Sequence, residues 1–357
     1  MERETRLDEE QVIVSLSGAA LHITLNRPGA INSLTLDIVR AISGALERAR
    51  RDAGVKCVVM TGAGDRGFCA GGDIKIMAGA VRDGSIEPAM QFLREENDLD
   101  LLIHLFEKPV VVFAHGITMG GGLGIAAGAD IVVATETTRM AMPETRIGFF
   151  PDVGSTGWLF SKCGPGYPEF LGLTGYEMAG AECVRVGLAS CLIPSSRLSG
   201  ALQAVIDRAD GLPADRTEAA SALRQALSPF VQADIPENPE MDRWAREYFA
   251  GRTSVLDILS DLKACSILND LCEGVFGRLS ERSPSAVVVT LKCLRRDEGR
   301  DLREVYLSDL KVARFLMTRH DFREGVRARL IDRDNRPAWD PDSFEKAAAL
   351  EPLMDIG

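Results

Sequence analysis

The chain contains 357 residues, which is enough for two domains of ordinary size or for one large domain with an appendage. Hydrophobic residues make up 46% of the chain and charged residues 26%, and these fractions exclude a disordered, collagenous or fibrous protein. The formal net charge of −11 argues against sequence-independent nucleic-acid binding, because such binding relies on many lysines and arginines.

Up to about residue 195 the chain alternates strand-like and helix-like segments. Apolar runs predict strands over residues 12–16, 21–25, 55–60, 109–115 and 131–134. Helices are predicted over residues 35–51, 88–105 and 121–128, the first of them capped by Thr35 or Ser33. Successive strands lie too close in sequence for a simple series of strand–helix–strand crossovers. We therefore predict an α/β core built of repeated ββα units.

After about residue 196 strand-like runs nearly vanish and helical spacing takes over. Helices are predicted over residues 198–210, 217–227, 241–250, 254–266, 270–281, 283–296, 302–318 and 320–331. The sequence therefore predicts two regions, an α/β core over residues 1–195 and an α-helical C-terminal region over residues 196–357.

The cysteines and histidines do not favour a metal or redox site. The eight cysteines include no CxxC pair, and the four histidines lie far apart. A disulfide framework is not expected either, because a chain of this length can form a stable hydrophobic core without covalent cross-links. Scattered thiols are typical of a reducing compartment, and the acidic segment MERETRLDEEQ lacks the features of a secretory signal or transit peptide. We therefore expect a cytoplasmic protein without a membrane span.

The segment GAGDRG at residues 62–67 matches the GxGxxG pattern of dinucleotide-binding proteins. Two further glycines follow at Gly71 and Gly72, where that fold needs a helix, and no acidic residue closes a following strand. A nicotinamide cofactor is therefore not expected. A serine-hydrolase elbow and a P-loop are not expected either, since neither GxSxG nor GK[ST] occurs in the right register.

Two glycine clusters, AGGD at residues 70–73 and MGGG at residues 119–122, each follow a strand and precede a helix. Such turns present unpaired backbone N–H groups at a positive helix end. Two N–H groups that converge from separate turns form an oxyanion hole, which serves acyl transfer and enolate chemistry. One cluster alone is more typical of a tight turn, whereas the pair is more suggestive of a site.

Two carboxylates, Glu144 and Asp152, lie in a mostly apolar segment. Apolar neighbours perturb the pKa of a carboxyl group, and general acid–base catalysis uses such groups. The structural alternative is that Asp152 caps a helix and that Glu144 pairs with Arg146.

Three segments, ITLNRP at 23–28, FCAGGDI at 68–74 and HGITMGGG at 115–122, resemble the enoyl-CoA hydratase/isomerase (crotonase) superfamily. Three others resemble the 3-hydroxyisobutyryl-CoA hydrolases of that superfamily: FLREE at 92–96, residues 142–154, and DFREGVRA at 321–328. The resemblance implies a crotonase-like spiral of ββα units with a helical C-terminal region.

The resemblance also implies catalytic roles. The amides of Gly72 and Gly121 would form the oxyanion hole. Glu144 would activate a water or attack the thioester directly, and Asp152 would bind the 3-hydroxyl group of the substrate. Gly124 stands where hydratases carry their first glutamate, and Asp152 stands where they carry a small residue. This exchange favours a hydrolase of 3-hydroxyisobutyryl-CoA, or of a similar short 3-hydroxyacyl-CoA, which would act in valine catabolism.

The resemblance implies a further set of binding positions. The residues that match the family's adenine-pocket region are Ala30, Asn32, Leu34, Ala70 and Ile74. Basic residues are needed for the anionic CoA tail, and the candidates are Arg27, Lys75 and Arg146. No metal is implied, and no cofactor apart from the CoA of the acyl-CoA substrate. Neither a nucleic acid nor a membrane is expected as a partner. The resemblance implies that the chain assembles into a homotrimer or a hexamer.

Three questions stay open at this point. A hydratase or isomerase on the same fold would use Glu144 as its only acid–base residue, and Asp152 would then have a purely structural role. A silent acyl-CoA-binding protein would bind CoA without turnover, although the intact glycines and both carboxylates argue against it. The helical C-terminal half would either mediate assembly or cover the active site of its own chain.

Overall fold

The computed structural model describes residues 10–265 and 268–350, apart from the side chain of Ile74. Within these residues the strands are β1 (Val12–Ser17), β2 (Ala20–Leu25), β3 (Cys57–Gly62), β4 (Val110–Ala114), β5 (Ile117–Met119), β6 (Ile131–Ala134), β7 (Arg139–Ala141), β8 (Met178–Ala179) and β9 (Cys191–Leu192).

Helices make up most of the remaining described chain. They are α1 (Leu36–Arg51), α2 (Ile74–Asp83), α3 (Glu87–His104), α4 (Gly121–Gly128), α5 (Ser155–Lys162), α6 (Tyr167–Thr174), α7 (Ala181–Arg185), α8 (Leu198–Ala209), α9 (Arg216–Leu227), α10 (Pro239–Phe249), α11 (Val255–Ala264), α12 (Asn269–Ser280), α13 (Pro284–Asp297), α14 (Leu302–Met317), α15 (His320–Val326) and α16 (Phe344–Ala349). A π-helical turn, Arg327–Ile331, follows α15.

The main sheet has the strand order β1-β2-β3-β4-β6-β9 and is parallel except for β1 at its edge. Strand β4 is buried at every position, as expected for a parallel strand covered on both faces. Strands β5, β7 and β8 form a second, smaller sheet. Strand β5 follows β4 and β7 follows β6 after short turns, so successive units contribute one strand to each sheet. This arrangement confirms the predicted repetition of ββα units.

Helix α1 shows how the sequence specifies these elements. Its cap is Thr35, whose hydroxyl accepts a hydrogen bond from the amide of Ile38 at 3.3 Å. Its buried positions recur at helical spacing and face the main sheet: Ile38, Val39, Ile42, Ala45, Leu46 and Ala49. The structure therefore selects Thr35 rather than Ser33 as the cap, and it confirms the buried face that the apolar spacing predicts.

The hydrophobic core crosses the predicted boundary at residue 195. One large cluster joins the sheet and α1 to side chains of α10 through α14, and a smaller cluster lies on the opposite face of the sheet under α8 and α9. The helical region packs directly against the α/β core. The division into two domains stays a prediction.

The C-terminal helices agree with their predicted positions within a few residues, except that residue 266 lies outside the described residues. Five helices were not predicted: α2, α5, α6, α7 and α16. Helix α2 contains Gly79, which weakens its helical signal, and its N-terminal cap is Asp73, whose Oδ1 accepts a hydrogen bond from the amide of Lys75 at 2.9 Å. Helix α16 is a single short segment of six residues.

Cys265 and Cys272 form a disulfide, which differs from the expectation of unpaired thiols. Cys265 directly follows α11 and Cys272 lies in the first turns of α12, and their spacing matches no disulfide motif in the sequence. In the described part of the chain, no helix has both the length and the apolar character that a membrane span requires.

Candidate active site

The two glycine clusters lie side by side. The amide of Cys69 donates a hydrogen bond to the carbonyl of Ile117 at 3.1 Å, and the amide of Met119 donates to the carbonyl of Cys69 at 3.0 Å. A Cβ atom built on Gly71 would lie 3.2 Å from the amide nitrogen of Gly121. These backbone contacts bring the loop before α2 against the loop before α4, although about fifty residues separate them in sequence.

The amides of Gly72 and Gly121 have the character of free donors. Neither N–H group donates to an acceptor among residues 10–265 and 268–350. Gly121 is the first residue of α4, where amides have no intrahelical partner. Gly72 lines a cavity of about 340 Å³. Their role as an oxyanion hole stays a prediction, and the unpaired amides meet its first requirement.

Glu144 and Asp152 line the same cavity as Gly72. Glu144 begins a 3₁₀ turn, and a Cβ atom built on Gly120 would lie 3.1 Å from its Oε1 atom. Its Oε2 atom is buried and has no hydrogen-bond partner among the described residues. Glu144 therefore faces the loop that presents Gly121 and keeps one oxygen for a ligand.

Asp152 is held by a strained turn. Val153 has a φ of 51° and Gly154 a φ of 71°, so two consecutive residues adopt the left-handed conformation before α5. A β-branched residue rarely adopts this conformation, and such strain concentrates at functional sites. The amide of Gly154 donates to Oδ2 of Asp309 at 2.8 Å, which fixes the turn from α14.

Burial perturbs both carboxyl groups. It raises the pKa of Asp152 to about 7. Burial also raises the pKa of Glu144 well above its usual range, and the charges of Asp152 and Glu96 raise it further. Asp152 therefore gains and loses a proton near neutral pH, and the raised pKa of Glu144 makes its carboxylate a stronger base than an ordinary glutamate, which suits acid–base catalysis.

Helix α3 contributes two carboxylates that the sequence reasoning did not assign to the site. Glu96 lines the cavity, and Asp100 lies one turn further along, fully buried. Burial raises the pKa of both groups, and Asp152 raises the pKa of Glu96 further. The i, i+4 spacing of two acids on an otherwise apolar helix face was the signal in the sequence.

Asp100 occupies the space beside Gly124, the position where hydratases were expected to carry a glutamate. A Cβ atom built on Gly124 would lie 2.6 Å from Oδ2 of Asp100 and 2.8 Å from Cβ of Val153. Any side chain at position 124 would displace one of these groups. The fold of this chain is therefore closed to the hydratase arrangement at that position.

The C-terminal region completes the site. The ring of Tyr306 packs against Gly154, where an added Cβ would lie 2.7 Å from Cζ of the tyrosine. Three residues from the π-helical turn and the loop after it line the cavity: Arg329, Leu330 and Asn335. The C-terminal region thus covers this cavity of its own chain, as one of the two alternatives left open by the sequence proposed for the active site.

The residues assigned to the adenine pocket divide into two groups. Ala70 lines the cavity. Asn32 is fully buried, and its Nδ2 atom donates to two backbone carbonyls of the glycine-rich loop at 3.0 and 2.9 Å. Leu34 is fully buried as well, Ala30 ends a short 3₁₀ turn, and the side chain of Ile74 lies outside the described residues. Their part in adenine binding stays a prediction.

The family model described as "Enoyl-CoA hydratase/isomerase" matches residues 20–351. The mitochondrial 3-hydroxyisobutyryl-CoA hydrolase of Danio rerio is 35% identical over 97% of this chain and 88% of its own length. The enzyme of the same name from Homo sapiens is 32% identical over 94% of this chain and 86% of its own length.

Solved structures agree with the fold over nearly the whole chain. A carnitinyl-CoA dehydratase from Mycobacterium thermoresistibile is 34% identical with a TM-score of 0.83, covering 95% of this chain and 94% of its own. An enoyl-CoA hydratase from Rhodobacter sphaeroides 2.4.1 is 30% identical, also with a TM-score of 0.83, covering 96% and 99%. These matches confirm the crotonase-like spiral with its helical C-terminal region.

The expected cytoplasmic location is wrong. The relatives from Danio rerio, Xenopus laevis and Homo sapiens are named mitochondrial enzymes, and this finding contradicts the cytoplasmic expectation. The expectation rested partly on unpaired thiols. Thiols separate reducing from oxidising compartments, but they do not separate one reducing compartment from another.

The family match covers residues 20–351, and the relatives exceed 30% identity over more than nine-tenths of the chain. On this evidence the chain belongs to the enoyl-CoA hydratase/isomerase family.

Proposed function

We propose that this chain is a thioesterase that hydrolyses 3-hydroxyisobutyryl-CoA, or a similar short 3-hydroxyacyl-CoA, to CoA and the free hydroxy acid. The observation that carries the proposal is the carboxylate arrangement. Glu144 and Asp152 share one cavity with Gly72, whereas Asp100 fills the space beside Gly124. The names of the relatives from Danio rerio and Homo sapiens support the same reaction.

The thioester carbonyl would bind between the amides of Gly72 and Gly121. Charge develops on this oxygen when a nucleophile adds to the carbonyl carbon, and two preorganised N–H donors stabilise it without reorganisation. The first turn of α4 adds the positive end of a helix dipole at Gly121. Removing one donor of an oxyanion hole typically costs about 10²- to 10³-fold in rate.

Glu144 would supply the nucleophilic step. In one route its carboxylate removes a proton from a water that attacks the carbonyl carbon. In the other its oxygen attacks directly, CoA leaves as the thiolate, and water then hydrolyses the resulting anhydride. A raised pKa makes the Glu144 carboxylate a stronger base in either route. The CoA thiolate is a good leaving group, so no strong acid is required.

Asp152 would position the 3-hydroxyl group of the substrate. Its side chain is 7% exposed and lines the cavity. With a pKa of about 7, the carboxyl group exists in both protonation states near neutral pH, so it accepts a hydrogen bond from the hydroxyl or donates one to it. This preference for a 3-hydroxyacyl chain separates the proposed enzyme from a general thioesterase.

Thiol release from (S)-3-hydroxyisobutyryl-CoA, followed with a thiol-reactive dye, tests the proposal. We expect Glu144→Gln and Asp152→Asn to lower the rate by about a hundredfold or more, while the exposed control Glu107→Gln keeps it. Hydration of crotonyl-CoA that survives in Asp152→Asn, without thiol release from either substrate, would instead identify a hydratase. Binding of CoA thioesters without any turnover would identify a binding protein.

The proposal includes no cofactor apart from the CoA moiety, because carboxylates and amides supply every step. It also includes a place in valine catabolism and a homotrimeric or hexameric assembly, which rest on the family resemblance. Light scattering on the purified protein tests the assembly, and a monomer at micromolar concentration would contradict it.

A further inference from the structure

Four arginines converge beside the catalytic cavity of a protein with a net charge of −11. Arg146 lies in the same 3₁₀ turn as Glu144 and lines the catalytic cavity together with Arg329. Arg146 also lines an adjoining cavity of about 630 Å³, which it shares with Arg278 and Arg282. The side chain of Arg146 therefore stands between the catalytic cavity and a second, arginine-lined space.

The positive charge of this cluster is poorly compensated. Oε2 of Glu281 lies 3.9 Å from Nη1 of Arg282 and 3.8 Å from Nη2 of Arg329, too far for a hydrogen bond. Glu177 lines the adjoining cavity, but it forms an ion pair with Arg139. In the described part of the chain, Glu281 is the one carboxylate within 4 Å of Arg282 or Arg329. Asp334 also acts on Arg329, but its carboxylate is engaged by Arg327.

Two of the arginines, Arg282 and Arg329, are buried, whereas Arg146 and Arg278 are exposed. The side chain of Arg329 is 10% exposed, and its buried Nε atom has no hydrogen-bond partner among residues 10–265 and 268–350. The side chain of Arg282 is 3% exposed, and its Nε and Nη2 atoms donate to the carbonyl of Thr174 at 3.2 and 2.7 Å. Burial lowers the pKa of Arg282 to about 9, and Arg146, Arg278 and Arg329 contribute by repulsion.

Arg27 shows what a compensated arginine looks like in the same molecule. Its Nη1 atom lies 2.7 Å from Oδ2 of Asp73 and 2.8 Å from the hydroxyl of Ser33. Among the described residues, no hydrogen bond or ion pair of this kind engages the guanidinium of Arg146. Like charges held together in a partly buried site are costly, and an anion bound among them removes that cost.

We propose that Arg146 and Arg278, supported by Arg282 and Arg329, bind a carboxylate at the far end of the acyl chain of the substrate. This inference rests on the proposed hydrolase function and assigns its substrate class: CoA thioesters of short 3-hydroxydicarboxylic acids. The planar guanidinium matches a carboxylate with two parallel hydrogen bonds, which makes arginine the suitable residue for such recognition.

The phosphates of CoA carry similar anionic oxygens, and distance argues against them as the ligand. The pantetheine arm between the thioester sulfur and the first phosphate is as long as about four extended residues, or roughly 14 Å. Arg146 follows Glu144 by two residues and shares its cavity. Because Arg146 lines the cavity that holds Glu144 and Asp152, its side chain is placed for a group on the acyl chain bound there.

A matched pair of substrates tests the assignment. 3-Hydroxyglutaryl-CoA and 3-hydroxy-5-methylhexanoyl-CoA have the same number and connectivity of heavy atoms, but only the first ends in a carboxylate. We expect kcat/KM to favour the charged thioester. Arg146→Met and Arg278→Met should each reduce that preference about tenfold, because a charge-assisted hydrogen bond is lost. The exposed control Arg323→Met should leave the preference unchanged.

The same pair prepared as N-acetylcysteamine thioesters, which lack phosphates, separates the two sources of anion. A preference for the charged acyl chain that persists in this pair, and disappears in Arg146→Met, supports the acyl carboxylate. An effect of the arginine variants on both CoA thioesters equally, with none on the N-acetylcysteamine pair, would assign the cluster to CoA phosphate and overturn the proposal.

Binding of the free acids keeps this inference distinguishable from the hydrolase itself. Calorimetry with 3-hydroxyglutarate and 3-hydroxy-5-methylhexanoate requires no turnover. If no thioester releases thiol, the hydrolase proposal fails, and tighter binding of 3-hydroxyglutarate that is lost in Arg146→Met still supports the anion site. Equal binding of the two acids, together with equal kcat/KM for the two CoA thioesters, would overturn the anion site while leaving the hydrolase intact.

Discussion

The carboxylate of Glu96 lies against Gly121, so closely that a single methyl group at position 121 would collide with its Oε1 atom. The contact joins helix α3 to the first residue of α4, on which one proposed oxyanion donor depends. It explains why no residue larger than glycine fits at this position.

Gly121→Ala is therefore expected to lower thiol release by about a hundredfold or more, because the collision displaces the donor amide or Glu96. Gly44→Ala in α1 is the matched control. Its added methyl meets only the tip of Arg48 at 3.4 Å, and we expect full activity with a stability gain of about 0.5–1 kcal/mol. Thiol release and thermal unfolding measured on both variants check the prediction, which normal activity of Gly121→Ala would contradict.

The pH dependence of the reaction should report the coupling between the two proposed catalytic carboxylates. Glu144 acts as a carboxylate, so kcat/KM rises with pH as Glu144 loses its proton. The charge of Asp152 raises the pKa of Glu144. Removing that charge in Asp152→Asn should therefore move the acidic limb of the residual rate to lower pH. Profiles measured between about pH 5 and 9 on the two proteins check this shift, and a limb that stays in place would rule out the coupling.

Asp100 should make the protein less stable as pH rises. Burial raises its pKa in the folded state, so between the unfolded and folded pKa values the folded state holds more protons and its stability falls with pH. Asp100→Asn removes this term. We expect the variant to exceed the parent by about 1 kcal/mol or more near pH 8, with a smaller difference near pH 5. Denaturant unfolding at both pH values measures it, and a difference that grows toward acid would have the wrong sign.

Installing the hydratase carboxylate should fail in this fold. Gly124→Glu forces a side chain into Oδ2 of Asp100 and Cβ of Val153, and overpacking of this kind costs typically 1–3 kcal/mol. We expect no gain in crotonyl-CoA hydration from Gly124→Glu alone, together with lower stability. The double variant with Asp100→Ala should recover part of the stability. Efficient hydration by the single variant would show that the position is open after all.

The sequence was most informative where function depends on a local pattern. The glycine clusters around Gly72 and Gly121, and the segment from Glu144 to Asp152, are contiguous, and the structure places them along one cavity and its adjoining loop. The amphipathic C-terminal helices were predictable for the same reason, since their apolar spacing is written within single segments.

The residues that escaped the sequence reasoning act across long separations. Asp309 accepts a hydrogen bond from the amide of Gly154, which lies 155 residues away in sequence, and no local pattern indicates that contact. Glu96 and Asp100 were hidden for another reason. Acids in a helix are normally exposed, so their i, i+4 spacing on an apolar face was a weak signal, and the packing of α14 against α3 shows that this face is buried.

The hydrogen bond from Gly154 to Asp309 makes the geometry at Asp152 depend on a segment that is synthesised later. All proposed catalytic groups precede residue 160 and are therefore synthesised in the first half of these 357 residues: Glu144, Asp152 and both glycine loops. The turn that aims Asp152 nevertheless waits for α14, which emerges more than a hundred residues later. We therefore expect catalytic competence to be a late event of folding, so that during refolding turnover returns after the secondary structure of the α/β core.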